Sequence, residues 1–480
     1  MTVRERVRGY RNPATIERLG APTYRIRVEE AGSWPLDFTS LECKRGQVTF
    51  SAGLWGTAPL YAASADGVLH GSWDLVDLRD HIRADVLDDA AVARLLTYWR
   101  RYSCRTLWRD VMMLTERAQA SFDRDGLAIM YPAPATHSRA RELREGVDPI
   151  AALDALLTDS IMRRDFHPAG SVVELSGGLD SATVAVSLAD AHPGKITCCA
   201  MMIGGAEGAQ QARRRRDMIE HVGLREDVQI AGMAFPPLNP FGDRGRGAPV
   251  HPDEEPFAEA TAAMLDALAE RGVRTAFTGI GGDEMLALRE WERDTPLDQD
   301  HMMFPEWVTQ PTIDALIEAE TDLAPAGAIT EVTLLAFACR WPLYLRAGVW
   351  PVSPLATPDL IRFGEWLPVE WRRRKRLFRE RLARRGLSDE VVNPPLAENL
   401  SGMMGRGLRR YGVPMLREML AGSLILADLG YVDADQLRAA CVVADVAAES
   451  DIDRRIFPVI ALELALRALT ESGDMPPPGP

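Results

Sequence analysis

VVELSGGLDS, residues 172–181, decides how this chain is read. A short apolar-biased run ends in serine, two glycines and an aspartate, and a helical run follows, SATVAVSLADAH at 181–192. Where a strand of a parallel sheet gives way to a helix, the free backbone N–H groups and the helix dipole form an anion site. Gly177 and Gly178 let backbone approach phosphate oxygens with no Cβ in the way. Ser176 and Ser181 add hydroxyl donors. Asp180 repels phosphate unless a Mg²⁺ ion bridges the two. The stretch lacks the Gly-Lys-Ser/Thr ending of a Walker loop.

Outward from this turn, strand and helix patterns alternate. DPIAALDALLTDSIMRRDF (148–166) has apolar residues at helical spacing behind an Asp-Pro start. KITCCAMMI (195–203) reads as a strand, AQQARRRRDMIEHVG (209–223) as a helix ending at Gly223, and DVQIAGM (227–233) as a third strand. The alternation predicts an α/β fold with a doubly wound parallel sheet. The Arg213–Arg216 run reads as a solvated helix face. Residues 236–256, rich in Pro, Gly and charge, read as a long surface loop over a site. Residues 310–470 are expected to be mainly helical, and the tail MPPPGP disordered.

A second turn, TGIGGDE (278–284), also follows a short apolar strand and precedes a helix. Alone, such a string is usually a turn capped by aspartate. It falls about 100 residues after the first, so both turns would lie at one carboxyl edge of the sheet, where ligands bind.

SGGLDS resembles the pyrophosphate loop of the N-type ATP pyrophosphatases, and its pairing with GIGGDE resembles the synthetase domain of the asparagine synthetase superfamily. The resemblance covers roughly residues 150–400 and implies an adenine nucleotide alpha-hydrolase-like fold that uses ATP and Mg²⁺. It implies metal ligation by Asp180 and Asp283, and nucleotide contacts at Leu175, Ser176, Gly177, Gly178, Asp180, Ser181, Gly279, Gly281 and Gly282. Substrate contacts are implied at Glu255, Ile280 and Glu284, Glu255 lying in DEEPFAE (253–259). WPVSPLATPDLIRFGEWLP (350–368) and the basic RRRKRLFRERL (372–382) are similar to further family segments. Lys375 becomes a cation for phosphate or transition-state charge, against the plain reading of a solvated helix face. The family often follows this helix with a lysine. VVNPPLAENL (391–400) has none, so Lys375 or another cation takes that role, or the chemistry is altered. A Tyr–Glu pair is the base in β-lactam synthetases, which makes Tyr344 with Glu365 a second catalytic pair, against a core tyrosine and a surface glutamate.

The front of the chain reads as mostly β to about residue 120, with strands at TYRIRVEE, GQVTFSAG, APLYAASADGVLHGSW and DGLAIMYPAP and a hairpin turn at 65–67. Residues 53–78 resemble the central hairpin of a glutaminase fold, yet Thr2 stands where such enzymes carry their nucleophilic cysteine. The expected division is an inactive, shortened glutaminase-like domain over 1–140 and a synthetase domain over 141–475. The amine must then arrive on a substrate or as free ammonia. Lasso peptide macrolactam cyclases and β-lactam synthetases show this pattern, and LADLGYVDADQLRAA (426–440) is similar to a segment of the former. The implied activity is AMP-forming amide synthesis in natural-product biosynthesis. Its substrate is a small molecule or peptide with a free carboxylate. An asparagine-synthetase-like enzyme using free ammonia and a non-catalytic Mg·ATP-binding protein remain alternatives. So does a homo-oligomer or a biosynthetic partner protein.

Composition narrows the field. A formal charge of −14 over 480 residues argues against nucleic-acid and anionic-membrane partners, and against a tRNA-modifying enzyme of the same fold. Six scattered cysteines without a CxxC pair indicate neither zinc nor a disulfide framework, and a reducing cytoplasm is expected. MTVRERVRGYRN lacks the apolar core of a signal peptide, and no run of about 18 apolar residues suggests a membrane span. His221 and His251 read as structural or solvated.

Overall fold

The structure, a computed structural model, describes residues 15–470 except 21–22, 30–37, 45–46, 55–59, 66, 84–85, 136–142, 165, 294–303 and 319–322. Thr2, Asp66 of the expected hairpin turn and the MPPPGP tail lie outside the described residues. No helix among the described residues is long and apolar enough to cross a membrane.

The front holds β1 (Thr15–Gly20), β2 (Thr23–Glu29), β3 (Phe38–Lys44), β4 (Gln47–Ala52), β5 (Tyr61–Ala65), β6 (Val68–Ser72), α1 (Asp89–Thr97), β7 (Val111–Met113), β8 (Gln119–Asp123) and β9 (Gly126–Met130). They form two antiparallel sheets, a six-stranded one ordered β1-β2-β3-β4-β8-β9 and a three-stranded one ordered β6-β5-β7. Val48, Phe50, Ala120 and Phe122 bury the inward side of β4 and β8, at every second position as the pleat requires. The front also carries a helix, α1, which the reading as mostly β passed over. Asp88 caps it by accepting from Ala91 N, and Val92, Ala93 and Leu96 form its buried stripe.

The rest begins with α2 (Pro149–Met162), capped by Asp148 with Pro149 in its first turn. Then come β10 (Ser171–Glu174), α3 (Leu179–Ala191), β11 (Thr197–Met202), α4 (Gly205–Val222), β12 (Asp227–Ala231), α5 (Ala258–Glu270), β13 (Thr275–Phe277) and α6 (Gly282–Met285). They are followed by α7 (Gln310–Glu318), α8 (Glu331–Arg346), β14 (Trp350–Val352), α9 (Pro358–Trp366), α10 (Val369–Arg372), α11 (Arg376–Arg384) and α12 (Asp389–Val392). A helical end closes the chain: α13 (Ser401–Gly407), α14 (Val413–Ala421), α15 (Ile425–Asp428), α16 (Ala434–Val446) and α17 (Ile456–Thr470).

Five strands pair in parallel in the order β12-β11-β10-β13-β14. The helices α2, α3, α4 and α11 pack together, while α5 and α8 pack against each other and against strands of the sheet. The fold is α/β with a parallel sheet and a smaller β-rich N-terminal region. β14 lies within the stretch expected to be mainly helical. Three residues leave too little pattern to read, and pairing with β13 makes them a strand.

Two further expectations are corrected. Arg214 and Arg215 are buried, not solvated: Arg214 pairs with Glu398 at 2.9 Å and Arg215 with Asp227. A charge run on a helix looks solvated until the rest of the chain supplies the carboxylates. The 236–256 stretch is no loose surface loop, since Leu238, Asn239, Arg244, Val250 and His251 are buried. Arg244 donates to the carbonyl of Pro256 at 3.2 Å and that of Glu254 at 3.0 Å, tying the middle of the stretch to its C-terminal end. One apolar cluster surrounds the parallel sheet. Another joins Tyr61, Leu75, Trp108 and Val111 of the front to Leu416, Leu437, Ile460 and Leu462 of the helical end.

Candidate active site

Strand order reverses between β10 and β13: the chain runs from β10 out to β12, then returns to place β13 and β14 on the other side. Such a switch point opens a crevice beyond the strands' carboxyl ends. The turn after β10 is LSGGLDS and the turn after β13 is TGIGGDE, so both enter one crevice.

The first turn is held by its own hydroxyls and by α4. Ser176 Oγ accepts from Gly178 N at 3.2 Å, Ser181 Oγ donates to the Gly178 carbonyl at 3.1 Å, and the two hydroxyls lie 3.1 Å apart. Gln211 Nε2 donates to the carbonyls of Ser176 at 2.9 Å and Met201 at 3.1 Å, which couples the turn to the end of β11. Gly177 has φ +99, a conformation side chains rarely adopt. Asp180 stands in the first turn of α3. Leu175 is fully buried behind the turn.

The second turn interlocks with the first. A Cβ on Gly279 would come within 2.7 Å of Ser181 N, and one on Gly282 within 2.5 Å of Asp180 Cγ. Gly281 has φ +97 and faces the Ala356 backbone. Close approach therefore explains glycine at all three positions. Thr278 and Ser353 hydroxyls meet at 2.6 Å and join this turn to the end of β14.

Lys375 closes the arrangement. It is not on a solvated helix face: it precedes α11 with φ +53, and Arg374 before it has φ +49. Two consecutive non-glycine residues in the left-handed region store strain of about 1–3 kcal/mol each. The ammonium they present reaches both Asp180 oxygens, at 2.7 and 2.6 Å, and Asp283 Oδ1 at 2.7 Å. Burial lifts the Asp180 carboxyl to about 6 against the pull of Lys375. Burial opposes the charge on Lys375, but the two aspartates outweigh it and its pKa is raised. Glu284 is raised too, by burial first, with Asp283 adding to it.

Asp180 and Asp283 thus bring carboxylate oxygens to one cation. No group of three or more His, Cys, Asp or Glu side chains able to hold a metal occurs among the described residues. Two carboxylates fit Mg²⁺, which takes one or two of them and completes its shell with phosphate oxygens and water.

The crevice is a cavity of about 520 Å³ lined by Ser176, Gly178, Asp180, Ser181, Gly279, Ile280 and Asp283 among others. Its outer wall is residues 394–400, the lysine-free stretch. Glu398 anchors that wall, accepting from Arg214 Nη1 and Gln210 Nε2, both at 2.9 Å. The inner end holds Glu174 and Arg340.

The remaining expected residues divide. Tyr344 is buried on α8, and the carboxylate its hydroxyl reaches is Glu174 of β10. Glu365 lies on α9, half-buried and outside the cavity lining. Glu255 lies 3.4 Å from Arg340 Nε, beside the inner end. His251 is buried, and His221 meets the Arg385 carbonyl. Sequence reading missed Glu174, Gln211, Arg214, Arg340 and Glu398. Glu174 carried one signal, a carboxylate directly inside a buried strand.

The family model described as asparagine synthase matches residues 152–326. That segment contains both turns and supports the asparagine synthetase superfamily, and with it ATP-dependent amide-forming synthesis in general. β14, Lys375 and the 394–400 wall lie beyond the match. A search of curated proteins finds no match to the chain.

Proposed function

We propose that this protein activates a substrate carboxylate with ATP, releases pyrophosphate and joins the acyl-adenylate to an amine, within natural-product biosynthesis. The observation that supports this most is the meeting of Asp180 and Asp283, from two turns at the switch point, on one Lys375 ammonium. Ring closure by an amine of the same substrate, as in macrolactam or lactam formation, is one form that this coupling can take.

The residues divide the work. N–H groups at the start of α3 and the Ser176 and Ser181 hydroxyls hold the departing pyrophosphate. Asp180 and Asp283 would hold Mg²⁺, which supplies charge neutralisation on the phosphates when bound. Lys375 stands close enough to turn from the aspartates towards a phosphate oxygen, where it stabilises developing charge. The 394–400 wall and the apolar Ile280, Met201 and Met264 limit water at the acyl group.

The test is exchange of labelled pyrophosphate into ATP across a panel of amino acids and peptides. Exchange with one of them, lost in Asp180→Asn and Asp283→Asn, is the expected result. Tight Mg·ATP binding with no exchange over the whole panel would leave the non-catalytic reading ahead.

A further inference from the structure

The inner end of the cavity is built from charges that the phosphate-facing turns do not use. Glu174 ends β10, and its Oε2 accepts from Arg340 Nη2 at 3.0 Å. Its other oxygen receives the Tyr344 hydroxyl. Arg340 Nε faces Glu255 Oε2 at 3.4 Å, and the guanidinium lies over the Tyr344 ring, 5.5 Å from its centre. Thr261 donates to the other oxygen of Glu255. Two carboxylates therefore share one guanidinium, with a net charge of one negative if both are ionised. Arg214 is the other basic side chain lining the cavity among the described residues, and Glu398 and the Val391 carbonyl hold it.

An unbalanced charge in a poorly solvated place costs free energy until a cation or a proton meets it. Glu174 and Arg340 reach the cavity, so a ligand can supply that cation. Cys199, Ala200, Met264 and Ile280 also line the cavity, and they suit an aliphatic carbon chain.

We propose that this inner end is the subsite for the nucleophile: it takes an aliphatic primary amine as its ammonium beside Glu174 and Glu255, and Glu174 removes the proton. The proposal rests on the amide-synthetase reading and names the acceptor class for the same cavity. The Glu174 carboxylate gains the proton that the ammonium loses. The free amine attacks the acyl carbon, a C–N bond forms, and the C–O bond to the phosphate breaks with its electron pair leaving on AMP. The second amine proton passes to water. Burial holds the Glu174 carboxyl above its usual range, with Arg340 opposing and Glu255 adding, and this narrows the gap to the amine. Arg340, Glu255, Tyr344 and Cys199 are the titratable or charged groups facing it. Tyr344 and Arg340 aim the carboxylate.

The test begins with binding, which needs no knowledge of the acyl substrate. n-Butylammonium, n-butyrate and n-butanol are titrated against the full chain by calorimetry and thermal shift. Butylammonium should bind in preference to the other two, and Glu174→Gln and Glu255→Gln should each weaken it by about tenfold or more. Binding of butyrate in preference to butylammonium would assign Arg340 to a substrate carboxylate and overturn the proposal. So would unchanged butylammonium binding in Glu174→Gln, a substitution that keeps the shape. With an acyl substrate in hand, Glu174→Gln should lower amide formation about a hundredfold more than it lowers pyrophosphate exchange. Equal loss of both would overturn the role as base. Amine binding without any exchange in the unaltered protein would overturn the synthetase reading and the base, and leave the amine subsite standing.

Discussion

The ammonium of Lys375 donates to both oxygens of Asp180, at 2.7 and 2.6 Å, across 195 positions of sequence. A backbone strained at Arg374 and Lys375 holds it there. Lys375→Met should reduce pyrophosphate exchange by about a hundredfold or more, as loss of a charge-stabilising donor does. Lys375→Arg should recover little, because a planar fork does not replace a point charge between two carboxylates. Exchange within twofold of the unaltered protein in Lys375→Met would remove the lysine from the reaction.

Gly282 and Asp180 are in contact across the two turns, which makes glycine a requirement of the site. Gly282→Ala places a methyl 2.5 Å from Asp180 Cγ and should turn that carboxylate away. Mg²⁺-dependent ATP binding, followed by calorimetry, should weaken at least about tenfold. Gly177→Ala meets a φ of +99 and Glu398 Oε2 at 2.9 Å, and should cost about 1–3 kcal/mol of stability by urea unfolding.

Arg214 and Glu398 fasten the cavity wall to α4. Both are largely buried, so Arg214→Gln leaves a carboxylate that Gln210 alone must satisfy. About 3 kcal/mol of destabilisation is expected, as for other broken buried pairs. The double variant Arg214→Gln with Glu398→Gln should regain part of it. A double variant no more stable than the single one would argue against coupling.

His251 gives the fold an acid sensitivity. Burial lowers its pKa to about 4, with Arg346 and Arg100 acting in the same direction and Asp74 against them. The unfolded chain binds the proton first, so this residue's contribution is complete above about 6.5, falls as pH falls, and is spent near 4. His251→Asn keeps an acceptor for Asp253 N, which His251 Nδ1 now accepts at 3.0 Å. The difference in stability between the two proteins should therefore change by about 3 kcal/mol between pH 4 and 6.5, with the histidine protein losing more. Glu116, raised to about 7 chiefly by burial, acts oppositely in the same range and cancels in the difference.

Local pattern made the two turns legible. Short apolar runs, paired glycines and helix starts lie within a few residues of one another, α2 starts at its Asp148 cap and α4 ends at Gly223. The parallel sheet followed from that alternation. What lies far apart along the chain was not written locally. Tyr344 fits several carboxylates by residue type, and the tertiary fold brought it to Glu174 at the end of β10 and not to Glu365. Arg214 looked solvated because Glu398 is 184 positions away. Lys375 looked like one of several basic residues until two left-handed residues aimed it at Asp180 and Asp283. Sequence alone determined which chemical groups the turns carry, since spacing within one turn depends on short-range geometry. Tertiary structure decided which charges meet, because a charge is silent about its partner until burial removes water as the alternative.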